Sequence, residues 1–188
     1  MSKEEQAGAM RGTRAFDAYL VAAVRAGDRR AAKGLVERWQ PRLTGHAHRL
    51  LGEAEAARDC VQAGWVEIWR SLPRLREERA FGTFAYRIVS RQCAQHVSRV
   101  VKRRSLAEEL AAEPLPEPVM PVAGSDAEKL SAAMAALPGA MRAAVALFYT
   151  AEMSVAEVAV ALDIPVGTVK SRLSHARAHL RAAFEGDV

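Results

Sequence analysis

The sequence predicts an all-α protein made of two small helical domains joined by a flexible linker, the C-terminal domain being a helix-turn-helix. Apolar residues recur at helical spacing along much of its 188 residues, and no alternating pattern of useful length predicts a strand. Residues 105–125 interrupt this pattern with prolines and glutamates, as is typical of an extended linker. We therefore expect a flexible N-terminus at 1–13, an N-terminal domain at 14–104 and a C-terminal domain at 126–188.

Composition and charge narrow the possible functions. Half of the residues are hydrophobic, and a net charge of +5 favours an acidic partner such as nucleic acid. No apolar run is long enough to cross a membrane and the N-terminus lacks the apolar core of a signal peptide, so we expect a cytoplasmic protein without membrane insertion. Cys60 and Cys93 have neither disulfide nor metal spacing, which indicates buried free thiols. His46 and His48 point apart on a helix, so we expect no metal site.

Turn residues divide the N-terminal domain into helices. Gly27 ends the first helix, Asp28 caps the second, and Gly52 ends the second. Pro41 lies inside the second helix and predicts a bend or a short break there. The third helix extends from Ala54 to Leu72, and its predicted buried stripe consists of Val61, Trp65, Ile68 and Leu72.

A basic stretch with aromatic residues follows. No acidic residue occurs from Arg79 to Ala107, and a long helix is expected from Phe81 to about Arg104. Aromatic rings interleaved with positive charge suit single-stranded DNA, because rings stack on bases and cations follow phosphates. The alternative is that Phe84 is a core anchor beside a solvated basic surface.

Residues 154–180 predict two helices joined by a tight turn. Ser154 and Glu157 form a capping box, and Pro165 suits the start of the second helix. The second helix has an apolar stripe on one side and basic residues on the other, which is the layout of a DNA-binding helix-turn-helix. The alternative is an ordinary amphipathic helix pair. The stripe consists of Val169, Leu173, Ala176 and Leu180.

Two segments of the chain resemble bacterial extracytoplasmic-function (ECF) sigma factors. Residues 165–173 (PVGTVKSRL), followed by residues 175–177 (HAR), closely resemble the promoter-recognition helix of that family. Residues 59–62 (DCVQ) and 65–70 (WVEIWR) resemble the segment that docks on the β′ clamp helices of core RNA polymerase. The resemblance extends over residues 14–104 and 126–184.

The resemblance assigns three sets of contacts. Those to the −35 promoter element are Thr168, Lys170, Ser171, Arg172, Ser174, His175 and Arg177. Those to the −10 element are Phe84, Tyr86, Arg87, Arg91, Gln95, Arg99, Lys102 and Arg103. Those to core polymerase are Asp59, Gln62, Val66, Glu67 and Trp69.

The sequence departs from the family pattern at several of these positions. The acidic residue that usually follows the glutamine is Ala63 here, with Gly64 next, and the usual Trp-Leu pair is replaced by Phe84 and Ala85. The residues usual further along the −10 helix are replaced by Arg91, Gln95 and Ser98. The general role carries over from the family, whereas the base preference does not.

The resemblance implies a sigma factor that binds core RNA polymerase and promoter DNA and directs transcription initiation. It further implies a stress or envelope regulon and an anti-sigma partner. No catalytic constellation or phosphate-binding glycine loop occurs, so we expect neither enzyme activity nor a cofactor. Two alternatives are a stand-alone helix-turn-helix repressor or activator, and an interaction protein that copies part of the sigma fold.

Overall fold

The structure, a computed structural model, describes the backbone of residues 3–108 and 126–185, and within these ranges it is helical without a strand. The helices of the N-terminal domain are α1 (Lys3–Arg25), α2 (Arg29–Leu51), α3 (Ala54–Ser71) and α4 (Phe81–Glu108). Those of the C-terminal domain are α5 (Asp126–Ala136), α6 (Gly139–Val145), α7 (Val155–Leu162) and α8 (Val166–Glu185). Short 3₁₀ turns at Leu72–Arg74 and Glu78–Ala80 join α3 to α4, and a π-helical turn at Ala146–Thr150 follows α6. The all-α, two-domain prediction is confirmed.

The predicted caps of α1 and α2 are confirmed. Gly27 and Gly52 adopt left-handed φ values of 94° and 78°, which glycine reaches without the steric cost of a side chain. The Asp28 carboxylate accepts hydrogen bonds from the backbone N–H groups of Arg30 at 2.7 Å and Ala31 at 3.2 Å. These contacts satisfy two of the free donors at the start of α2.

The helices extend further than the sequence pattern indicated. Helix α1 begins at Lys3, so residues 3–13, expected to be a flexible start, are helical; they are rich in helix-forming residues. Helix α4 ends at Glu108, four residues beyond the expected Arg104, because the first proline of the linker occurs only at Pro114. The remaining linker, residues 109–125, lies outside the described residues.

A bend or a short break was expected at Pro41, and the break is absent, since α2 continues through the proline. Proline removes one backbone hydrogen bond, here the bond to the Glu37 carbonyl. Both Pro41 and Glu37 are exposed, so that carbonyl lies on the solvent side of the helix. Leu35 and Leu43, on either side of the proline, are fully buried and hold the two halves of the helix against one core.

Glycine at position 64 allows a close approach between α3 and α4. A Cβ atom on Gly64 would lie 2.9 Å from Cγ2 of Val89, which is closer than carbon atoms pack. Glycine inside a helix costs about 1 kcal/mol relative to alanine. The departure from the family pattern at this position therefore has a structural cause, which is the tight α3–α4 contact.

The two domains pack on each other, with α7 against α4 and α6 against the end of α2. Gly139, the first residue of α6, lies so close to α2 that a Cβ there would be 2.8 Å from the carbonyl oxygen of Leu50 and 3.0 Å from that of Arg49. The Arg142 guanidinium donates to the same Arg49 carbonyl at 3.4 Å. A side chain at position 139 would therefore push the domains apart.

Ion pairs link the two domains. Arg14 of α1 pairs with Glu157 of α7 at 3.0 Å, and Arg87 of α4 pairs with Asp163 in the helix-turn-helix turn at 2.8 Å. The Arg87–Asp163 side chains are more than half exposed. Such exposed pairs contribute about 0–1 kcal/mol each. They therefore influence the relative orientation of the domains more than the stability of the contact between them.

Candidate nucleic-acid interface

The helix-turn-helix begins with the predicted capping box. The backbone N–H of Glu157 donates to Oγ of Ser154 at 3.2 Å, and the N–H of Ser154 donates to Oε2 of Glu157 at 2.8 Å. Partial burial acts to raise the pKa of Glu157, but the bonds from Ser154 and the ion pair with Arg14 outweigh it and lower that pKa. The box fixes the start of α7, the helix that supports α8.

Asp163 ends α7 in a left-handed conformation with φ of 55°, and α8 starts three residues later. The predicted buried stripe is confirmed, since Val169 and Ala176 are inaccessible and Leu173 is 2% exposed. Helix α8 packs through this stripe on α5, α6 and α7. The opposite side of α8 is therefore presented to solvent.

Most of the predicted −35 residues lie on this solvent side. Ser171 donates its hydroxyl proton to the Thr168 carbonyl at 3.0 Å, and Nε of Arg177 donates to the Leu173 carbonyl at 3.2 Å. Thr168 and Arg172 are half-buried at the edge of the stripe. The exposed members are Lys170, Ser171, Ser174, His175 and Arg177. They form a basic, polar surface over the first 12 residues of α8, and the N-terminal part of this helix is the part that enters the major groove in helix-turn-helix proteins.

A second basic surface extends along α4. Four of its residues recur every fourth position and so share one side of the helix: Arg87, Arg91, Gln95 and Arg99. All four are exposed, as are Lys102 and Arg103 towards the C-terminal end. The guanidinium of Arg91 lies 3.9 Å from the Glu67 carboxylate, which is too long for a strong ion pair. Positive charge along one helix suits a nucleic-acid backbone.

The two predicted aromatic contacts lie in the interior instead. Tyr86 is 6% exposed, with its ring edge-on to Trp39 at 5.7 Å and to His46 at 5.0 Å. Phe84 is half-buried and packs beside Phe81 at 6.3 Å. Tyr86 is thus a core residue, and the packing of Phe84 on Phe81 corresponds to the core-anchor alternative.

The predicted polymerase-binding residues form the outer surface of α3. Asp59, Gln62 and Val66 are exposed, and Val66 has more than half of its surface in solvent. Glu67 is half-buried and accepts a hydrogen bond from Gln92 at 2.7 Å. Trp69 is half-buried and stacks on Trp65 at 5.3 Å. The structure thus brings all of these residues onto one helix, three of them open to a partner.

Sequence reasoning missed the residues that join the two domains. The Asp163 carboxylate accepts a hydrogen bond from Arg87, which is 76 positions away. Glu157 was assigned only to a cap, yet it also pairs with Arg14. No local pattern signals either contact, because each joins positions that are distant in the sequence.

Other candidate sites are not supported in the described part of the chain. No group of three or more His, Cys, Asp or Glu residues there could hold a metal ion. Cys60 and Cys93 are buried free thiols, as predicted, and burial is the main cause that raises the pKa of Cys93 to about 12. None of the helices described is both long and apolar enough to cross a bilayer.

Both domains match known protein families. A family model for sigma-70 region 2 matches residues 35–104, and one for sigma-70 region 4 matches residues 127–180. The RNA polymerase sigma-H factor of Pseudomonas aeruginosa is 30% identical over 187 residues, covering 92% of this chain and 96% of the relative. The ECF RNA polymerase sigma factor SigM of Mycobacterium tuberculosis is 35% identical over 169 residues, covering 87% of this chain and 82% of the relative.

Two solved structures share the fold. CnrH, in complex with the cytosolic domain of CnrY, has a TM-score of 0.62 and 24% identity, covering 92% of this chain and 99% of CnrH. The sigma factor RpoE of Bartonella quintana, in complex with the anti-sigma factor NepR, has a TM-score of 0.62 and 19% identity, covering 83% of this chain and 98% of RpoE. Both domains match sigma-70 regions, the relatives are similar over nearly their whole length, and the solved structures share the fold. This chain therefore belongs to the extracytoplasmic-function family of RNA polymerase sigma factors.

Proposed function

We propose that this sigma factor joins core RNA polymerase in the cytoplasm, places α8 on the −35 element and places α4 on the −10 element. The observation that carries the proposal is the presence of two separate exposed basic surfaces, one on each domain. A stand-alone repressor needs only the surface on α8. The protein itself catalyses nothing in this proposal, because it supplies binding energy for one promoter geometry while the polymerase makes RNA.

The polymerase contact is proposed to lie on the outer surface of α3, against the β′ clamp helices. Asp59 and Gln62 offer hydrogen-bonding groups there, and Val66 offers an apolar contact that water solvates poorly. The tight packing at Gly64 fixes α3 against α4. Docking of α3 on the polymerase would therefore also fix the direction of the basic surface on α4.

Engagement of both promoter elements requires the two domains to separate. The elements lie about 25 base pairs apart, which is about 85 Å along a duplex at 3.4 Å per base pair. A compact chain of 188 residues has a radius of gyration of about 16 Å, so the packed arrangement cannot reach both elements. Separation breaks the Arg87–Asp163 pair and frees the Arg87 guanidinium for a phosphate.

An anti-sigma factor is proposed as a further partner, for a stress or envelope regulon. The sigma factor RpoE was solved in complex with the anti-sigma factor NepR, and CnrH, which also shares the fold, was solved in complex with the cytosolic domain of CnrY. The same fold in this chain supports a partner of the same kind. Its identity would follow from co-purification with the sigma factor under non-inducing conditions.

The experiment that tests the function is capture of sigma-free core RNA polymerase, followed by run-off transcription from a genomic promoter library. We expect stable capture and selective transcripts. Val66→Asp should weaken capture by about tenfold, because it places a charge in the centre of the interface. The control is Val160→Asp, which changes a similarly exposed valine on α7. A protein that ignores polymerase but shifts duplex DNA alone would be a repressor or activator, and one that does neither but binds other proteins would be a sigma mimic.

Lys170→Ala and Arg177→Ala should each weaken binding of the holoenzyme to duplex promoter DNA. Each removes a cation from the exposed side of α8, so the slope of log affinity against log salt should fall in magnitude by about 1 per substitution. Lys33→Ala, at an exposed lysine on α2, is the control and should leave the slope unchanged. Wild-type slopes for both α8 variants would exclude these residues from the DNA-binding surface.

A further inference from the structure

A pocket of about 320 Å³ lies between the two domains. Its N-terminal wall comes from α1, α2, the turn at Glu78–Ala80 and the start of α4, and its C-terminal wall comes from residues 146–157. This volume lies at the lower end of the range for small-molecule sites. None of the promoter or polymerase contacts proposed above uses the pocket, apart from Tyr86, which lines it from the side of α4.

Some of the charges around the pocket are already neutralised. Arg14 and Glu157, on opposite walls, pair with each other at 3.0 Å. Asp17 pairs at 2.6 Å with Arg38, which lies behind the wall. These three lining residues therefore contribute little free charge to the interior.

Three arginines on the wall remain available. Within the described ranges no salt bridge involves Arg42, Arg49 or Arg79. Among the acidic residues that line the pocket, Glu152 is the one without a salt bridge there. The Arg42 guanidinium lies over the Trp39 ring, 5.1 Å from its centroid. The ring holds the side chain in place, while no carboxylate neutralises its charge. The pocket thus has a surplus of positive charge in a partly enclosed space, where solvent screens it less than on an open surface.

Tyr86 adds a polar group at the same place. Its side chain is buried and lines the pocket, and no residue of the described chain forms a hydrogen bond with its hydroxyl. Burial raises the pKa of Tyr86, while the nearby charges of Arg42 and Arg49 act to lower it. Arg42, Arg49 and Tyr86 line the same pocket, and all three side chains can donate hydrogen bonds.

The opposite wall has a different character. The C-terminal domain contributes two acidic residues, Glu152 and the paired Glu157, and its other lining residues are uncharged: Ala146, Leu147, Thr150, Ala151 and Met153. Apolar atoms there would pack against the uncharged part of a ligand. One side of the pocket is therefore suited to an anionic group and the other side to an apolar body.

We propose that this pocket binds a small organic anion, with its carboxylate or phosphate against Arg42, Arg49 and Arg79 and its apolar part against residues 146–153. Because the ligand contacts both domains, it binds only while they are packed together. It therefore stabilises the packed arrangement. If the proposed function holds, such a ligand opposes the separation that promoter binding requires, and this makes it a negative effector.

The test is calorimetric titration of the full-length protein with phenyl phosphate and with benzoate, at constant ionic strength. Inorganic phosphate serves as the anion without an apolar body, and benzyl alcohol serves as the neutral analogue. We expect at least one aromatic anion to bind at millimolar concentration or below, more tightly than phosphate or benzyl alcohol. Tighter binding of phenyl phosphate would identify a phosphate as the preferred head group, and tighter binding of benzoate would identify a carboxylate.

Three variants locate the binding. Arg49→Gln and Arg79→Gln should each weaken binding of the aromatic anion by about tenfold, since each removes a charged hydrogen-bond donor. Arg76→Gln, at an exposed arginine outside the pocket, is the control and should bind like wild type. Absence of binding by both aromatic anions, or an equal loss in Arg76→Gln, would overturn the proposal. Because no polymerase or promoter is present, these outcomes are independent of whether the protein acts as a sigma factor.

Discussion

Replacement of Trp65 by alanine is expected to lower the free energy of unfolding by about 3–5 kcal/mol, the usual cost of removing a buried aromatic side chain. Trp65 is 7% exposed, and its indole N–H donates to Oε1 of Gln40 at 2.6 Å. The substitution therefore creates a cavity between α2 and α3 and leaves Oε1 of Gln40 without its hydrogen-bond donor. Urea unfolding followed by far-ultraviolet circular dichroism measures the loss.

Trp69→Ala is the matched control for this prediction. Trp69 stacks on Trp65 but is only half-buried, so its removal should cost clearly less stability. The two tryptophans are also expected to separate stability from function, since Trp69 lies on the proposed polymerase surface and Trp65 lies beneath it. An unfolding midpoint near that of wild type for Trp65→Ala would show that the ring is not part of the core.

Acid should destabilise the N-terminal domain through His46. Burial, and secondarily the charge of Arg49, lowers the pKa of His46 from 6.5 to about 3. Below pH 6.5 the unfolded chain therefore binds a proton that the folded chain does not bind. The free energy of unfolding should fall as the pH drops from 6.5 towards 3, by about 2 kcal/mol between pH 7 and pH 5.

Comparison of His46→Gln with His48→Gln isolates this contribution. His46 is buried with Nε2 at 2.8 Å from the Ser90 hydroxyl, whereas His48 is exposed two residues away on the same helix. Urea unfolding at pH 7 and pH 5 should show a smaller pH effect in His46→Gln and the wild-type effect in His48→Gln. Equal pH effects in both variants would mean that His46 can be protonated in the folded state.

The sequence predicts the local structure well because local chemistry determines it. Asp28 and Ser154 start helices by accepting backbone hydrogen bonds, and Gly52 ends a helix with a left-handed residue. The apolar stripe of α8 needs only the helical repeat, and its members Val169 and Leu173 are buried as predicted. Each of these features depends on residues within a few positions of one another, which a single sequence displays directly.

Features that depend on distant residues could not be predicted in the same way. The break expected at Pro41 is absent because packing on both sides of the proline outweighs the lost hydrogen bond. Glycine at position 64 looks unfavourable in isolation, and only the position of Val89 explains it. The packing of α7 on α4 joins segments about 75 positions apart, and no periodicity within either segment indicates it.

The charged residues predicted to contact DNA are exposed, whereas the aromatic Tyr86 is buried, and the difference has a physical reason. Lys170 and Arg99 are exposed because a charged group without a buried partner stays in water. An aromatic ring has no such constraint, since it can stack on a base or fill a core. The Tyr86 ring packs in the core between Trp39 and His46. The sequence alone does not distinguish this position from an exposed one.

The contact at Gly139 has a practical consequence for engineering. Its φ lies outside the left-handed region, so the backbone accepts a side chain, while the carbonyls of Leu50 and Arg49 leave no room for one. Alanine, valine and leucine at this position would place side chains of increasing volume between α6 and α2. None of these substitutions changes a residue that faces DNA or polymerase. A single codon would thus set the proportion of molecules that are constitutively open, and with it the basal output of a synthetic gene circuit driven by this protein.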